Sequence, residues 1–316
     1  MDRRALLALT ALLAARAAAQ PAWPARPIRI VNPFPAGSPD AMARFVAERL
    51  SPALGQPVLV ESRSGAGGTI GAELVAHAPP DGYLLGLSSV GPHAVAPATY
   101  PALRYDPLRD LVHLGLLGEF PLTLAVRADG PFADLAGFLA AARAQPDALR
   151  VGTVGTGGPG HIVTEMLRRD HGVALTMVPF RGGNPAALEV MGGRIEAVLA
   201  SLGETGSQDR LRLLALAAEA RVPRFAAVPS LRESGIDILA TAWFGLCAPA
   251  GLPPGIAARL EQGLGEATRS EAYAAFLATL NAAPHRGLDA AATTAFVAAE
   301  GRRWGDAARA FGIRAE

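Results

Sequence analysis

Short apolar runs alternate along this chain with segments in which apolar residues recur every three or four positions. The first cycle has an apolar run at Ile28 to Asn32, a Gly/Pro-rich loop at Pro33 to Pro39, and a helical pattern from Asp40 onward. Four apolar residues share one face of that helix, which predicts packing on a sheet: Met42, Phe45, Val46 and Leu50. Runs at 57–61 and 83–88 predict the next two strands.

The same rhythm returns in the second half of the chain. The predicted elements are strand Leu122 to Val126, helix Leu135 to Ala144, strand Arg150 to Val154, loop Gly155 to Gly160, helix His161 to Arg169, strand Leu175 to Pro179, a helix capped by Asn184 with Pro185 at its first position, and strands near Ile195 to Ala200 and Leu211 to Ala217. Strands that alternate with helices predict an α/β fold whose sheets are mostly parallel and flanked by helices.

The C-terminal part differs, because one strand-like run, Thr241 to Ala248, is followed by three helical patterns. These lie at about Pro254 to Ser270, Glu271 to Asn281 and Asp289 to Phe311. A tail with so little strand is expected to pack back on the first lobe. We therefore predict one lobe at 20–122 plus 248–316 and a second at 123–247. Segments near 120–126 and 241–248 would cross between them as a hinge beside a cleft.

The N-terminus has the layout of a secretory signal peptide. A charged start (Asp2, Arg3, Arg4) precedes an apolar run from Ala5 to Ala15 and the small residues Ala17 to Ala19. The run is shorter than the ~20 apolar residues that a spanning helix needs. We expect export and cleavage near Ala19, and the arginine pair leaves both the general and the folded-protein route open.

Composition excludes several classes of function. The formal net charge is only +1, so no nucleic-acid-binding surface is predicted. The chain has no lysine, which excludes Schiff-base and Walker-lysine chemistry. Its one cysteine, Cys247, lies in an apolar run and is predicted to be a buried hydrophobe rather than a nucleophile. No histidine pair has metal-ligand spacing, so neither a metal nor a cofactor is predicted.

Three small-residue loops lie where predicted strands end and helices begin: Phe34 to Asp40, Thr153 to His161, and Phe180 to Gly183. In doubly wound sheets ligands bind at such places, where helix N-termini present free N–H groups. One helix N-terminus attracts an anion by about 0.3–2 kcal/mol, whereas micromolar binding needs about 8 kcal/mol. Several loops are therefore expected to converge on one ligand as the lobes close. The structural alternative is that these glycines only form tight turns and that Asp40 is a helix cap.

A second hypothesis rests on Gly155, Gly157 and Gly160, which match the dinucleotide fingerprint G-x-G-x-x-G after a strand and at a helix start. About 20 residues further on the chain has Arg181 instead of an acid, which would favour the phosphorylated dinucleotide. The alternative function is therefore an NADP-dependent oxidoreductase. Export argues against it, because an exported protein has little access to that cofactor.

Short motifs occur in a defined order along the chain. They are Trp23-Pro24-Ala25-Arg26-Pro27-Ile28-Arg29-Ile30-Val31, Gly65-Ala66-Gly67-Gly68-Thr69-Ile70-Gly71, Asp81-Gly82-Tyr83, Tyr105-Asp106-Pro107, Val178-Pro179-Phe180-Arg181-Gly182, and Trp243-Phe244-Gly245-Leu246 with Ala248-Pro249-Ala250-Gly251. Their order and spacing together resemble the Bug family, the periplasmic substrate-binding receptors of tripartite tricarboxylate transporters.

The resemblance implies a two-lobed periplasmic-binding-protein (Venus flytrap) fold, a periplasmic location, no catalysis and no cofactor. It also implies that the ligand is a small carboxylated solute and that the receptor is a monomer. The implied partners are the membrane subunits of a tripartite tricarboxylate transporter or a sensor kinase. In the family, backbone amides, hydroxyls and waters on the equivalent loops hold ligand carboxylates. The candidate ligand-binding residues are Phe34, Ala36, Gly37, Ser38, Asp40, Ser88, Ser89, His93, Thr153, Gly155, Thr156, Gly157, Gly158, His161, Phe180, Arg181 and Gly182.

The chain departs from the family pattern in two places. Ala36-Gly37-Ser38-Pro39 replaces a paired glycine before the first helix, and Pro39 removes a backbone donor. Phe180 stands where tyrosine is common, which removes a hydroxyl. Both changes favour a less polar ligand. They also keep a third hypothesis open, an exported sensor or interaction module without ligand binding.

Overall fold

The computed structural model describes residues 23–284 and 289–315. The predicted signal peptide at 1–19 lies outside the described residues. Every helix in the described part of the chain is too short or too polar to cross a membrane.

Strands and helices alternate from the first described strand onward. The N-terminal elements are β1 (Ile28–Asn32), α1 (Ser38–Leu54), β2 (Val58–Ser62), α2 (Thr69–Ala76), β3 (Leu84–Ser89), α3 (Ala96–Thr99) and β4 (Leu111–Arg127). The middle elements are α4 (Leu135–Ala144), β5 (Arg150–Val154), α5 (Pro159–His171), β6 (Thr176–Phe180), α6 (Gly183–Met191), β7 (Ala197–Ser201), α7 (Leu202–Thr205) and β8 (Leu211–Leu216). The C-terminal elements are β9 (Thr241–Pro249), α8 (Pro254–Thr268), α9 (Glu271–Thr279), β10 (Ala283–Pro284) and α10 (Ala290–Ala310).

The strands form one continuous path with the order β2-β1-β3-β9-β4-β7-β5-β6, and β8 and β10 also pair with β4. We name the part around β1, β2, β3 and β9 the first lobe, and the part around β5, β6, β7 and β8 the second lobe. Pairing is parallel between β1 and its neighbours β2 and β3, and between β5 and its neighbours β6 and β7. The pairings of β4 and β9 are antiparallel. The predicted parallel sheets therefore occur at the outer strands of each lobe, and the strands that join the lobes run antiparallel.

Strand β4 belongs to both lobes. Its first part, Leu111 to Pro121, pairs with β9, and its second part, from Leu122 onward, pairs with β7 and β8. Its register shifts at several points, as at β-bulges, which bend a strand and increase its twist. The sequence pattern predicted only Leu122 to Val126 here. Because β4 is buried along most of its length, its first part lacks the alternation that marks a half-buried strand.

The segment before β9, where the chain passes back to the first lobe, is hydrogen-bonded to β4 at Leu122. The backbone N–H of Leu122 donates to the carbonyl of Ala240 at 2.8 Å, and the Leu122 carbonyl accepts from Ala217 at 2.8 Å. Ala240 in turn donates to the Ala217 carbonyl at 2.9 Å. The chain therefore crosses between the lobes at two places that share hydrogen bonds, as the predicted hinge requires. The residue boundaries of the two lobes stay a prediction.

The C-terminal helices pack on the first lobe, as the sequence predicted. Helix α8 contacts α1, and α10 contacts β4 and α3. At the centre of this packing the Glu300 carboxylate, 8% exposed, accepts from the indole N–H groups of Trp243 at 3.1 Å and Trp304 at 3.0 Å. Arg303 donates to its second oxygen at 3.0 Å. One carboxylate thus supplies the acceptors for two buried indoles, on β9 and α10.

Two predicted helix caps are wrong. Helix α1 begins at Ser38 with Gly37 at its N-cap, so Asp40 lies inside the first turn, where it pairs with Arg44 at 2.7 Å. Helix α6 begins at Gly183 with Gly182 at its N-cap, so Asn184 lies inside the helix, and its side chain donates to the Ala36 carbonyl of the other lobe. Pro39 is the second residue of α1, where its missing N–H breaks no helical bond, and Pro185 is the third residue of α6 instead of the predicted first.

Replacement of Glu300 by alanine is expected to lower the free energy of unfolding by about 3 kcal/mol, because two buried indole N–H groups lose their acceptor. Urea denaturation monitored by circular dichroism measures this. The matched control is Glu266→Ala on the exposed side of α8, which should change stability by less than about 0.5 kcal/mol. Equal effects of the two substitutions would contradict the role given to Glu300.

Candidate functional site

A cavity lies between the two lobes, beside the strands that join them. Its volume is about 600 Å³, counting the space at its mouth. Its lining residues are Phe34, Pro39, Gly67, Ser89, Val90, Gly91, Leu122, Val154, Gly158, Pro159, Gly160, Gly182, Leu199, Ala200, Ser201, Glu204, Ala242 and Phe244. Both lobes and both crossing strands therefore contribute to its wall, and most of the lining side chains are apolar or absent.

The first lobe contributes the end of β3. All six residues of β3 are buried, so the strand is held rigidly inside the sheet, with Ser89 at its carboxyl end. Ser89 is 1% exposed and lines the cavity, and its hydroxyl has no hydrogen-bond partner. A buried hydroxyl without a partner is costly, because it has lost water and gained no bond. A ligand group that reached the Ser89 hydroxyl would supply the missing partner.

A buried cluster lies behind Ser89. The backbone N–H of Ser89 donates to His93 Nδ1 at 3.1 Å, and the other ring nitrogen of His93 lies 3.9 Å from the sulfur of Cys247. The ring of His113 lies 5.7 Å from that of His93, and His113 Nε2 bonds to the Pro107 carbonyl at 2.9 Å. Burial lowers the pKa of His93 to about 3 and that of His113 to about 4, so both rings are neutral. Cys247 is buried, as predicted.

The second lobe contributes the N-terminus of α5. This helix has 13 residues, its N-cap is Gly158, and no side chain caps it. The loop before it is closed by His161, whose Nδ1 accepts from the Gly157 backbone N–H at 3.0 Å. His161 therefore holds the loop before α5 and does not cap the helix. The uncapped start of α5 presents the positive end of the helix dipole to the cavity.

The lobes touch each other around the cavity. A Cβ added to Gly155 would come within 2.9 Å of the Gly67 Cα, so the two loops meet backbone to backbone. The Tyr100 hydroxyl donates to the Thr156 carbonyl at 3.1 Å. On another side Asn184 donates to the Ala36 carbonyl at 3.2 Å. The structure is therefore a closed arrangement of the lobes.

The structure places the predicted ligand-binding residues in three groups. Those that line the cavity are Phe34, Ser89, Gly158 and Gly182. Those in or beside the contacts between the lobes are Ala36, Gly37, Gly155, Thr156 and Gly157. Those that do not line the cavity are Ser38, Asp40, Ser88, His93, Thr153, His161, Phe180 and Arg181.

Two members of the last group have contacts that explain their positions. Thr153 is fully buried in β5, and Asp40 is held by Arg44 and, at 3.4 Å, by the Asn32 amide. Arg181 is exposed. The predicted loops therefore converge on one place, and a minority of their side chains reach the cavity.

Sequence reasoning missed several lining residues, above all Glu204. The Glu204 carboxylate accepts from the Gly183 backbone N–H at 2.9 Å and from the Ser201 hydroxyl at 2.8 Å. Burial raises its pKa, and the hydrogen bonds from Ser201 and Gly183 act in the opposite direction. The spacing Ser201-x-x-Glu204 is that of a capping box, so the sequence did contain a signal for a helix start here.

Comparison with known proteins gives consistent matches along the chain. The family model described as tripartite tricarboxylate transporter family receptor matches residues 42–313. BugT of Bordetella pertussis is 34% identical over 293 residues, which cover 91% of this chain and 90% of BugT.

Two solved structures are similar over nearly their whole length. Rpa4515 of R. palustris, with adipate, has a TM-score of 0.88 and 30% identity and covers 93% of this chain and 100% of its own. MatC of Rhodopseudomonas palustris, with bound malate, has a TM-score of 0.84 and 32% identity and covers 90% of this chain and 99% of its own.

The buried histidines predict a loss of stability in acid. Both have folded-state pKa values, about 3 for His93 and about 4 for His113, below the unfolded value of about 6.5. As the pH falls below about 6.5, these histidines bind protons in the unfolded state but not in the folded state, so the unfolded state is stabilised. From pH 7.5 to 5 each histidine is expected to cost about 2 kcal/mol of unfolding free energy.

Urea denaturation of His113→Gln over this pH range tests the expectation. Glutamine can still donate to the Pro107 carbonyl but does not titrate, so the variant should lose about 2 kcal/mol less than the original protein between pH 7.5 and 5. Identical pH profiles for the two proteins would show that His113 is not the group responsible.

Proposed function

The chain belongs to the family of tripartite tricarboxylate transporter receptors, and from that premise we propose that it encloses a small organic carboxylate in the cavity between its lobes and delivers it to a membrane transporter. The chain is a solute-binding receptor and not an enzyme, because its relatives are receptors, two of them with ligands bound. This confirms the predicted Bug-family identity and Venus flytrap fold. It also decides against the NADP-dependent oxidoreductase.

The single observation that supports an anionic ligand is the unpartnered hydroxyl of Ser89, which lines the same cavity as the uncapped start of α5. A hydroxyl donor and a helix N-terminus are the groups that bind a carboxylate without a counter-cation. No arginine lines this cavity among the described residues. A carboxylate held by backbone N–H groups and Ser89 accounts for both features.

The ligands of the two similar structures favour the same class. Rpa4515 is seen with adipate and MatC with malate, and both ligands are small carboxylates. The apolar side chains around the cavity, among them Phe34, Leu199 and Phe244, suit a ligand with a hydrocarbon body.

Location and partners follow from the family. Its members are periplasmic binding proteins, and we propose that residues 1–19 direct export of this one with cleavage near Ala19. As partners we propose the membrane subunits of a tripartite tricarboxylate transporter, with a sensor kinase as the alternative, and a monomeric receptor. A pull-down of detergent-solubilised membranes with the ligand-loaded receptor distinguishes the two partners.

A thermal-shift screen across organic acids is expected to find stabilisers, because a ligand at 100 times its dissociation constant adds about 2.7 kcal/mol to the free energy of unfolding. Ser89→Ala should weaken the best acid ten-fold or more in calorimetric titration, since a hydrogen bond to a charged group contributes about 1.5–3 kcal/mol. The matched control is Ser88→Ala, whose hydroxyl is equally buried and unpartnered but does not line the cavity. A screen without stabilisers would leave the interaction module as the better hypothesis.

Closure of the lobes gives a separate prediction. Gly155 has φ of +69° and abuts Gly67, so Gly155→Ala introduces backbone strain and a clash between the lobes. Gly172→Ala, with φ of +64° and open space around it, introduces the strain alone. Both variants should lose about 1 kcal/mol of stability. Only Gly155→Ala should also weaken ligand binding and reduce the ligand-induced decrease in radius of gyration seen by small-angle scattering. Equal behaviour of the two variants would contradict closure at Gly155.

A further inference from the structure

A carboxylate of the protein itself lies in the wall of the binding cavity. Glu204 lines the cavity next to Ser201 and Gly182, and its two oxygens accept from the Gly183 backbone N–H and the Ser201 hydroxyl. Gly183 is the first residue of α6, a helix of nine residues whose N-cap has no side-chain bond. The position that a ligand anion would take at this helix N-terminus is thus already occupied by Glu204.

The chain permits this arrangement only because residue 183 is glycine. A Cβ on Gly183 would overlap the Glu204 carboxylate, so a larger residue would displace it. Among the described residues, Glu204 forms no ion pair, and its hydrogen-bond donors are the neutral groups of Gly183 and Ser201. Burial raises the pKa of Glu204, because the ionised carboxylate has lost part of its hydration.

The cavity therefore has two chemically different sides. Ser89 stands at the end of β3 and Glu204 follows β7, and strands β9 and β4 lie between them in the sheet. Ser89 offers a hydroxyl donor from the first lobe, and the start of α5, which follows β5 next to β7, offers backbone donors from the second lobe. The side with Glu204 offers an acceptor that carries negative charge when ionised. Apolar residues of β4, β7 and β9 also line the cavity: Leu122, Leu199, Ala200, Ala242 and Phe244.

We propose that Glu204 is a specificity-determining residue for the end of the ligand opposite its carboxylate. It favours an N–H donor at that end, either an ammonium group or a primary amide. It disfavours a second carboxylate there. The inference rests on the proposed function, because Ser89 and α5 must hold the ligand's one carboxylate. A second ligand carboxylate beside Glu204 would place two like charges together without a counter-ion, whereas an N–H group would satisfy the acceptor and compensate its lost hydration.

The test uses acids of equal chain length that differ only at the far end. The probes are succinate, succinamate, 4-aminobutanoate and butanoate, with the corresponding six-carbon series, titrated calorimetrically at pH 7.5. The original protein should bind an amide- or ammonium-ended acid at least ten-fold more tightly than the dicarboxylate of the same length. The amide and ammonium arms distinguish a neutral from a cationic donor.

Glu204→Gln should reduce that preference at least ten-fold, because glutamine keeps the shape and removes the charge. The matched control is Glu189→Gln, which removes the same charge from helix α6 at its pair with Arg194, away from the cavity lining, and should keep the original preference. Gly183→Ala is an independent second variant, since it displaces the Glu204 carboxylate without altering it chemically, and it should reduce the preference in the same direction. Circular dichroism reports the folding of each variant.

The outcomes separate the inference from the proposed function. Tighter binding of a dicarboxylate than of its amide by the original protein, or an unchanged preference in both folded variants, overturns the role of Glu204 and leaves the carboxylate receptor standing. Failure of every acid to bind the original protein overturns both.

Discussion

Strand β4 has to satisfy its backbone groups in the sheets of both lobes, and this requirement organises the molecule. The strand pairs with β9 as far as Pro121 and with β7 and β8 from Leu122 onward. Buried backbone N–H and C=O groups must be paired, so the two lobes cannot be placed independently of this strand. The three hydrogen bonds among Leu122, Ala217 and Ala240 then fix the place where the chain returns from the second lobe to the first. Because Leu122 also lines the cavity, the same residue connects the lobes and faces the cavity.

The periodic elements were the predictable part of the fold. Strands β1 and β5 and helix α4 have the bounds that their apolar patterns predicted, because each is a short element with one buried face and clear ends. The beginning of β4 was not predictable, since a strand buried on both faces has no polar alternation. The helix starts at Ser38 and Gly183 were misplaced because a nearby polar residue was taken as the cap. In the folded protein those polar groups bond elsewhere, Asp40 to Arg44 and Asn184 to Ala36.

The site was predictable at the level of loops and much less at the level of side chains. Glycine-rich segments at strand ends indicated where the lobes meet, since a close approach of backbones requires such residues. They did not indicate which residues face the solute. Ser89 and Ser88 are neighbours with the same burial, and only the direction of the strand places one of them in the cavity wall. Glu204 was missed because its position depends on Gly183, which is distant in sequence and adjacent only in the folded second lobe.

The contact between Gly67 and Gly155 has a consequence for the time that a solute stays bound. The closed lobes meet at two glycine backbones and through hydrogen bonds from Tyr100 to Thr156 and from Arg169 to the Ala310 carbonyl, which contribute about 1–3 kcal/mol each. A solute that bonds to both lobes adds to these contacts and stabilises the closed arrangement. The time that a solute stays bound then depends on how often the lobes open, and the proposed membrane partner would release the solute by separating the lobes without touching it.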